Sequence, residues 1–402
     1  MSAEPVQAST PLWPEWQLHP KQWGHSFHPM CSYMGMFPAR IPHYFIQKFT
    51  NPGDVVLDPF SGRGTTPLQA CAENRIGIGV DLNPLAHLLT GAKVQAPQKD
   101  DLLRRIEELE TDMFYGLSDE PHEDIQMLFH EHTLRQLVYL KQMLDKDNAC
   151  DRFILATLTG AMHGAQHRNG QSSSFLSISM PNTFSMSPNY IRKYVEAHGL
   201  KKIPIDVFKV LRTRVERLYK KSNPPAQGYA YLGNARELNR VPDPYLRRKQ
   251  VKLIVSSPPY LRVVKYGLYN WIRLWMLDEN VASLDQRLDQ HPKLPDYLKF
   301  MNEVCKQLYN VMAPGGVCAL VIGDVKAPRQ TVGLNLALEV WKHLEAKKTK
   351  FHLHDILEDT LPKNAKVSKI WGEERGEATL IDRVLVLYKD EFNVLRDVVS
   401  WK

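Results

Sequence analysis

The tightest constraint on this chain lies between Asn51 and Asp81. Asn51-Pro52-Gly53-Asp54 reads as a turn, and Val55-Val56-Leu57-Asp58 as a short buried strand. A glycine-bearing loop follows, then Pro67 to Asn74 has helical character, and Ile76-Gly77-Ile78-Gly79-Val80-Asp81 is a second strand ending in an acid. Strand, loop, helix, strand in so short a space commits the chain to a parallel α/β sheet. The rhythm stops between about 100 and 225, where helical periodicity, a polar loop and a basic helix take over. It resumes with a short strand at Tyr229–Leu232 and with Val251–Val255, which runs into Ser256-Ser257-Pro258-Pro259-Tyr260. A helix around Tyr297–Met312 stops at Ala313-Pro314-Gly315-Gly316, and strands are expected at Val317–Ile322 and Leu380–Tyr388. The expectation is an α/β domain of about seven strands, split by a mostly helical insertion. A tail over 1–35 precedes a first part over 36–99, the insertion over 100–225 and a second part over 226–402.

The chain has 402 residues, enough for one large domain with such an insertion. Its five cysteines are scattered, without a CxxC pair, which argues against a disulfide framework or a zinc knuckle. No apolar run reaches the ~18 residues of a membrane helix, and the N-terminus lacks the basic-then-apolar pattern of a signal peptide. A cytoplasmic protein is expected. The formal net charge of +7 suits a polyanionic partner.

The loop after the first strand reads Asp58-Pro59-Phe60-Ser61-Gly62-Arg63-Gly64-Thr65-Thr66. Its glycines permit a tight turn and close approach of a ligand to the backbone. Pro67 stands where a dinucleotide fingerprint would have its third glycine, and no Gly-Lys-Ser/Thr completes a phosphate loop. An acid at the start and neutral hydroxyls at the end suit a zwitterionic, cationic cofactor better than a phosphate. Asp58 could attract the ammonium or sulfonium of such a molecule through charge or a bridging water. Asp81, at the next strand end, could accept from both hydroxyls of a ribose; the alternative is a helix cap before Asn83-Pro84.

The second loop carries complementary chemistry. Pro258 and Pro259 force an extended backbone and remove two N–H donors, leaving carbonyls outward. That suits a substrate whose reacting group is itself a donor, such as the amino group of a nucleic-acid base. Acceptance of both its N–H bonds by Ser257 and the Pro258 carbonyl would favour a tetrahedral nitrogen, and Tyr260 offers a stacking face for a base flipped from the duplex. The alternative is a Pro-Pro turn with a buried tyrosine. Carbon-5 methylation would need a cysteine nucleophile near the base; Cys305 falls in an expected helix and Cys318 in a strand.

The loop Asp58–Thr66 resembles the cofactor motif of the amino-group DNA methyltransferases, and Ser257-Pro258-Pro259-Tyr260 resembles their catalytic signature. Gly79-Val80-Asp81-Leu82-Asn83-Pro84-Leu85-Ala86 is similar to their ribose-binding segment, and Met36-Phe37-Pro38-Ala39-Arg40-Ile41-Pro42 to the segment beside the methionine end of the cofactor. Gly233-Asn234-Ala235-Arg236 resembles the stretch whose polar residue meets the adenine. The resemblance implies a Rossmann-like methyltransferase sheet, S-adenosylmethionine as cofactor and DNA as substrate. It implies cofactor contacts from Phe37, Pro38, Asp58, Pro59, Phe60, Gly62, Gly64, Thr65, Thr66, Asp81 and Asn234, and catalytic roles for Ser257, Pro258, Pro259 and Tyr260. Serine at the first catalytic position goes mostly with cytosine N4, aspartate with adenine N6. A restriction endonuclease is the functional companion it suggests. Many N4-cytosine enzymes have the two motifs in the opposite order, so the chain resembles a permuted relative.

The insertion is the expected DNA reader. Arg212, Arg214 and Arg217 belong to a basic stripe over 192–221 able to hold phosphates, unless that stripe is only a solvated helix face. The polar run His167-Arg168-Asn169 could meet base edges, or be a surface loop. His163 and His167, four apart, lack the adjacent Glu and third ligand of a zinc site, and no metal is expected. Methylation of cytosine N4 in DNA is the expected activity; N6-adenine DNA methylation is the first alternative, followed by RNA methylation and a catalytically silent nucleic-acid-binding protein of the same fold.

Overall fold

The structure, a computed structural model, describes residues 10–11, 23–35, 37–113, 120–165, 175–259, 261, 265–288, 291, 293–325, 334–360 and 378–396. The first part runs β1 (Thr10–Pro11), α1 (Arg40–Phe49), β2 (Val55–Asp58), α2 (Thr65–Ala72), β3 (Ile76–Asp81) and α3 (Pro84–Val94). Six helices follow: α4 (Lys99–Thr111), α5 (Glu123–Gln126), α6 (Glu131–Met143), α7 (Ala149–Ala161), α8 (Pro188–His198) and α9 (Val207–Leu218). The chain then returns to the sheet with β4 (Tyr229–Leu232), α10 (Pro244–Arg247), β5 (Val251–Ser256), α11 (Trp271–Met276), α12 (Val281–Arg287) and α13 (Leu294–Val311). It ends with β6 (Met312–Val325), α14 (Leu336–Ala346), β7 (His352–Thr360) and β8 (Ala378–Tyr388).

These strands form one sheet in the order β1-β7-β8-β6-β5-β2-β3-β4. All pairs are parallel except those of β8, which runs antiparallel to both β6 and β7. From β2 the chain winds one way, through β3 and β4, and from β5 the other way, through β6. The strand order therefore reverses between β2 and β5, and open α/β sheets place their ligand in the crevice at such a point, beyond the strand ends. Both central strands are apolar without alternation, as strands covered on both faces must be: Val55, Val56, Leu57, Leu253, Ile254 and Val255 are all buried.

Seven strands carry the sheet as expected; the eighth, β1, is a two-residue addition at its edge. Gly64, at φ +78°, occupies the N-cap of α2, and a Cβ there would lie 2.9 Å from the Thr90 Cα. The helix consequently begins at Thr65, two residues earlier than its proline suggested. The expected stop at Ala313-Pro314-Gly315-Gly316 is already strand: α13 ends at Val311, and Gly315 takes φ +66°.

The insertion has no core of its own. One apolar cluster joins α4, α6, α7 and α9 to Leu85 and Leu89 of α3, to Ile272 and Leu274 of α11, and to Phe27 and Met30. Phe27 and Met30 belong to the stretch expected as a tail; burial of large apolar side chains holds the second half of that stretch against α7. At Gly160 of α7 the backbone comes so close that a Cβ would lie 2.0 Å from the Met30 carbonyl oxygen.

Arg273 of α11 fastens the same three regions with hydrogen bonds. It is 1% exposed and donates to the Thr159 carbonyl (3.1 Å), the Ser32 carbonyl (3.0 Å) and hydroxyl (2.9 Å), the Thr183 carbonyl (2.7 Å) and Asn270 Oδ1 (2.7 Å). The Trp271 indole N–H adds a bond to the Met186 carbonyl (2.8 Å).

Candidate active site

The loops after β2 and β5 leave the sheet side by side, because Leu57 pairs with Ile254 in parallel register. Two side chains lock them together. The Thr66 hydroxyl donates to the Val255 carbonyl (3.0 Å), and the Ser256 hydroxyl donates to Asp58 Oδ1 (2.6 Å), which also accepts the Phe60 N–H (3.2 Å). Asp58 is fully buried, its Oδ2 lacks a hydrogen-bond partner among the described residues, and burial pushes its pKa up to about 7. It does not line the cavity described next, so direct attraction of a cofactor cation by Asp58 is not what this geometry provides. Its carboxyl braces the cofactor loop to the residue just before Ser257-Pro258-Pro259.

In front of that brace lies a cavity of about 820 Å³, open to solvent at one side. Asp81 lines it at the end of β3. Asp81 Oδ2 accepts the Gly62 N–H (2.8 Å) and Oδ1 accepts the Asn83 N–H (2.9 Å). Burial, partly offset by these bonds, raises its pKa to about 6. The cap of α3 is Asn83, whose Oδ1 accepts the Leu85 N–H (3.0 Å), which leaves Asp81 free of the capping role.

Phe37, Pro59 and Phe60 supply apolar wall, and Ser257, Pro258 and Pro259 border the same cavity. Gly62 and Thr65 complete the set of expected residues that meet there. Four others stand behind the wall or beside it. Gly64 and Thr66 shape the start of α2. The Pro38 carbonyl accepts the Ile41 N–H (3.1 Å) at the start of α1. Asn234 Oδ1 accepts the Arg236 N–H (2.9 Å), and its neighbours Gly233 and Ala235 are the residues that line the cavity. Met36, Tyr260, His167, Arg168 and Asn169 lie outside the described residues.

Sequence reasoning missed Tyr33. Its hydroxyl accepts from Asn83 Nδ2 (2.8 Å), its ring stacks with Tyr266 at 6.2 Å, and both rings line the cavity. Burial and the nearby Asp81 charge hold the Tyr33 phenol well above its usual pKa. The one signal was its place three residues ahead of the segment similar to the methionine-end motif.

In the insertion, Arg214 is buried with its guanidinium 5.3 Å from the Phe175 ring centre, because its position on α9 faces the shared core. This corrects the expectation of a phosphate contact there. Arg212 pairs with Glu110. Arg217 is exposed, as are Lys209 and Lys220. His163 is buried on Ser177 (3.2 Å), with its pKa lowered to about 3 by burial, and no metal-binding cluster occurs among the described residues. Cys305 and Cys318 are buried in α13 and β6. No described helix is long and apolar enough to cross a membrane.

A sequence profile of the DNA methylase family matches residues 7–90 and 251–394, more than half of the chain. The chain belongs to the DNA methylase family. The stretch the profile leaves unmatched holds the helical insertion and β4. Among curated relatives, the methylase is 37% identical to the Type II methyltransferase M.MjaII of Methanocaldococcus jannaschii over 71 residues, 18% of this chain and 13% of that one. It is 40% identical to M.PvuII of Proteus hauseri over 60 residues, 13% of this chain and 18% of the relative. The matches thus span less than a quarter of either relative's length. Among solved structures, TrmN from Thermus thermophilus aligns with a TM-score of 0.32 at 12% identity, covering 90% of this chain and 52% of that one. The rRNA methyltransferase aviRa from Streptomyces viridochromogenes aligns with a TM-score of 0.34 at 11% identity, covering 92% and 91%. The residues present are compatible with S-adenosylmethionine, the methyl donor of DNA methylases: the cavity sets the Asp81 carboxylate beside an apolar wall of Phe37, Pro59 and Phe60.

Proposed function

We propose that the protein methylates the exocyclic N4 of cytosine in DNA, on a base flipped out of the helix. The observation that carries this reading is that Ser257-Pro258-Pro259, tied to the cofactor loop by the Asp58–Ser256 hydrogen bond, and Asp81 line one cavity. Bound S-adenosylmethionine supplies an electrophilic methyl group. The chain's own residues supply the rest. Asp81 orients the donor through its ribose, and the apolar wall excludes water from it. The exocyclic nitrogen is a weak nucleophile because its lone pair is delocalised into the ring. Ser257 Oγ and the Pro258 carbonyl accept its two N–H bonds, which favours the tetrahedral nitrogen and takes up the developing positive charge as the N–C bond forms and the methyl's bond to the donor sulfur breaks; one of the two N–H protons is then released to solvent. The two prolines keep competing N–H donors out of this position. Tyr260 stacks on the base, and no covalent bond to the protein forms.

The choice of cytosine over adenine rests on the serine at position 257. The insertion supplies the DNA track through its exposed cations, and a restriction endonuclease of matching specificity is the companion this reading implies. Mass spectrometry of digested duplex DNA after incubation with the protein and donor is the test. 4-Methylcytosine is expected. N6-methyladenine would keep the mechanism and overturn the base, and product on RNA alone would overturn the substrate. Tyr260→Ala should abolish most turnover while donor binding persists, whereas Tyr260→Phe should keep substantial activity.

A further inference from the structure

Arg63 sits between the two glycines of the cofactor loop and lines the cavity. Its guanidinium is already held: Nε donates to Thr65 Oγ1 (3.3 Å) and Nη1 to the His28 carbonyl (3.2 Å). Nη2 has no hydrogen-bond partner among the described residues, and no carboxylate there forms an ion pair with Arg63. The surroundings add positive charge without an acid. Buried Lys93 donates its Nζ to the Arg63 carbonyl (2.6 Å), and burial together with Arg63 lowers its pKa to about 7. His28, also buried, is driven towards its neutral form by burial and by the Arg63 charge. Beside Arg63, α2 begins at Gly64 with no side-chain cap. A fixed, largely buried guanidinium whose remaining edge meets only neutral or positive neighbours is arranged for an anion that arrives from outside.

We propose that Arg63 binds the α-carboxylate of the methyl donor's amino-acid end. This rests on S-adenosylmethionine being the ligand of the cavity, and it divides the site by charge. Asp81 takes the diol at one place, and Arg63 takes the carboxylate at another. A residue that reads only the amino-acid end should discriminate between ligands that have it and ligands that lack it.

The experiment is calorimetric titration of the full chain with S-adenosylhomocysteine, which carries the carboxylate, and with 5′-methylthioadenosine, which does not. Arg63→Gln should weaken S-adenosylhomocysteine binding by about tenfold to a hundredfold, the scale of a lost charge-assisted hydrogen bond in a buried site. It should leave 5′-methylthioadenosine binding unchanged, which also shows that the variant is folded. Arg63→Lys should recover part of the loss. Equal weakening of both ligands would overturn the proposal in favour of loop support. Unchanged affinity for both, with weaker and less salt-sensitive binding to duplex DNA, would overturn it in favour of a phosphate contact. A wild-type chain that binds neither ligand would overturn the donor reading itself, and this assignment with it.

Discussion

Asp58→Asn should make the protein more stable at alkaline pH and change little at acid pH. The carboxyl is fully buried, and its pKa rises from 3.8 to about 7. A raised carboxyl pKa means that the native state holds its proton more tightly than the unfolded chain does. Its contribution to stability is complete below about pH 4 and is lost as pH rises through about 7. One pKa unit corresponds to about 1.4 kcal/mol, so between pH 5 and pH 8 the ionising carboxylate costs the fold about 3 kcal/mol. Asparagine keeps Oδ1 as acceptor for the Ser256 hydroxyl and the Phe60 N–H and carries no charge. Urea unfolding of both proteins at pH 5 and pH 8 gives the result directly. The stability difference in favour of the variant should grow by about 3 kcal/mol across that interval. Asp81, also raised, is present in both proteins and cancels. The same difference at both pH values would show that Asp58 titrates normally and would refute the reasoning from burial.

Asp81→Ala should weaken S-adenosylhomocysteine binding at least about tenfold, since the lost carboxylate is the acceptor for the diol; unchanged affinity in calorimetry would assign Asp81 to loop support alone. In the wild type that affinity should fall as pH drops through about 6, where Asp81 takes up its proton. Replacing Lys209, Arg217 and Lys220 together by serine should reduce the slope of log affinity for DNA against log salt by about 0.9 per lost phosphate contact. A slope that stays put would place the DNA track elsewhere. Arg273→Met should cost about 3 kcal/mol, because it strands the buried Thr159 carbonyl and the half-buried Ser32 and Thr183 carbonyls; an unchanged denaturation midpoint would contradict that.

Much of the sheet was legible because its signals are local. Val55–Asp58, Ile76–Asp81 and Tyr229–Leu232 are bounded by turn residues, and the strands occupy those residues in the structure. The helix α14 and the strand β7 carried no signal of that kind. His352–Thr360 alternates apolar and polar residues only loosely, and its place is set by pairing with β8. The residues read for the cavity largely meet there, because two glycines permit positive-φ turns and two prolines enforce an extended backbone wherever they occur. The surroundings of Asp58 were not legible. Sequence shows an acid at a strand end, but the Ser256 hydroxyl that turns it inward is 198 residues away. Arg214 failed for a related reason: charge gives composition, whereas the face of α9 that meets the core is decided by Phe208, Leu211 and Val215 around it.

Gly160 and Arg273 have a consequence for how such an enzyme could be given a new target sequence. The natural unit of exchange looks like the insertion, since it is contiguous and lies between the two halves of the sheet. Yet its α7 seats Met30 through a position that tolerates no side chain, and three residues later the same stretch delivers Tyr33 to the donor cavity. Arg273, beyond the catalytic loop, closes the circuit by holding both Ser32 and the insertion. A graft of residues 100–225 alone would therefore bring a foreign surface against the segment that carries Tyr33 to the cavity wall. The transplantable module is discontinuous: the helices, the segment around Phe27–Tyr33 and α11 travel together, or the chimera reads a new sequence with a damaged donor site.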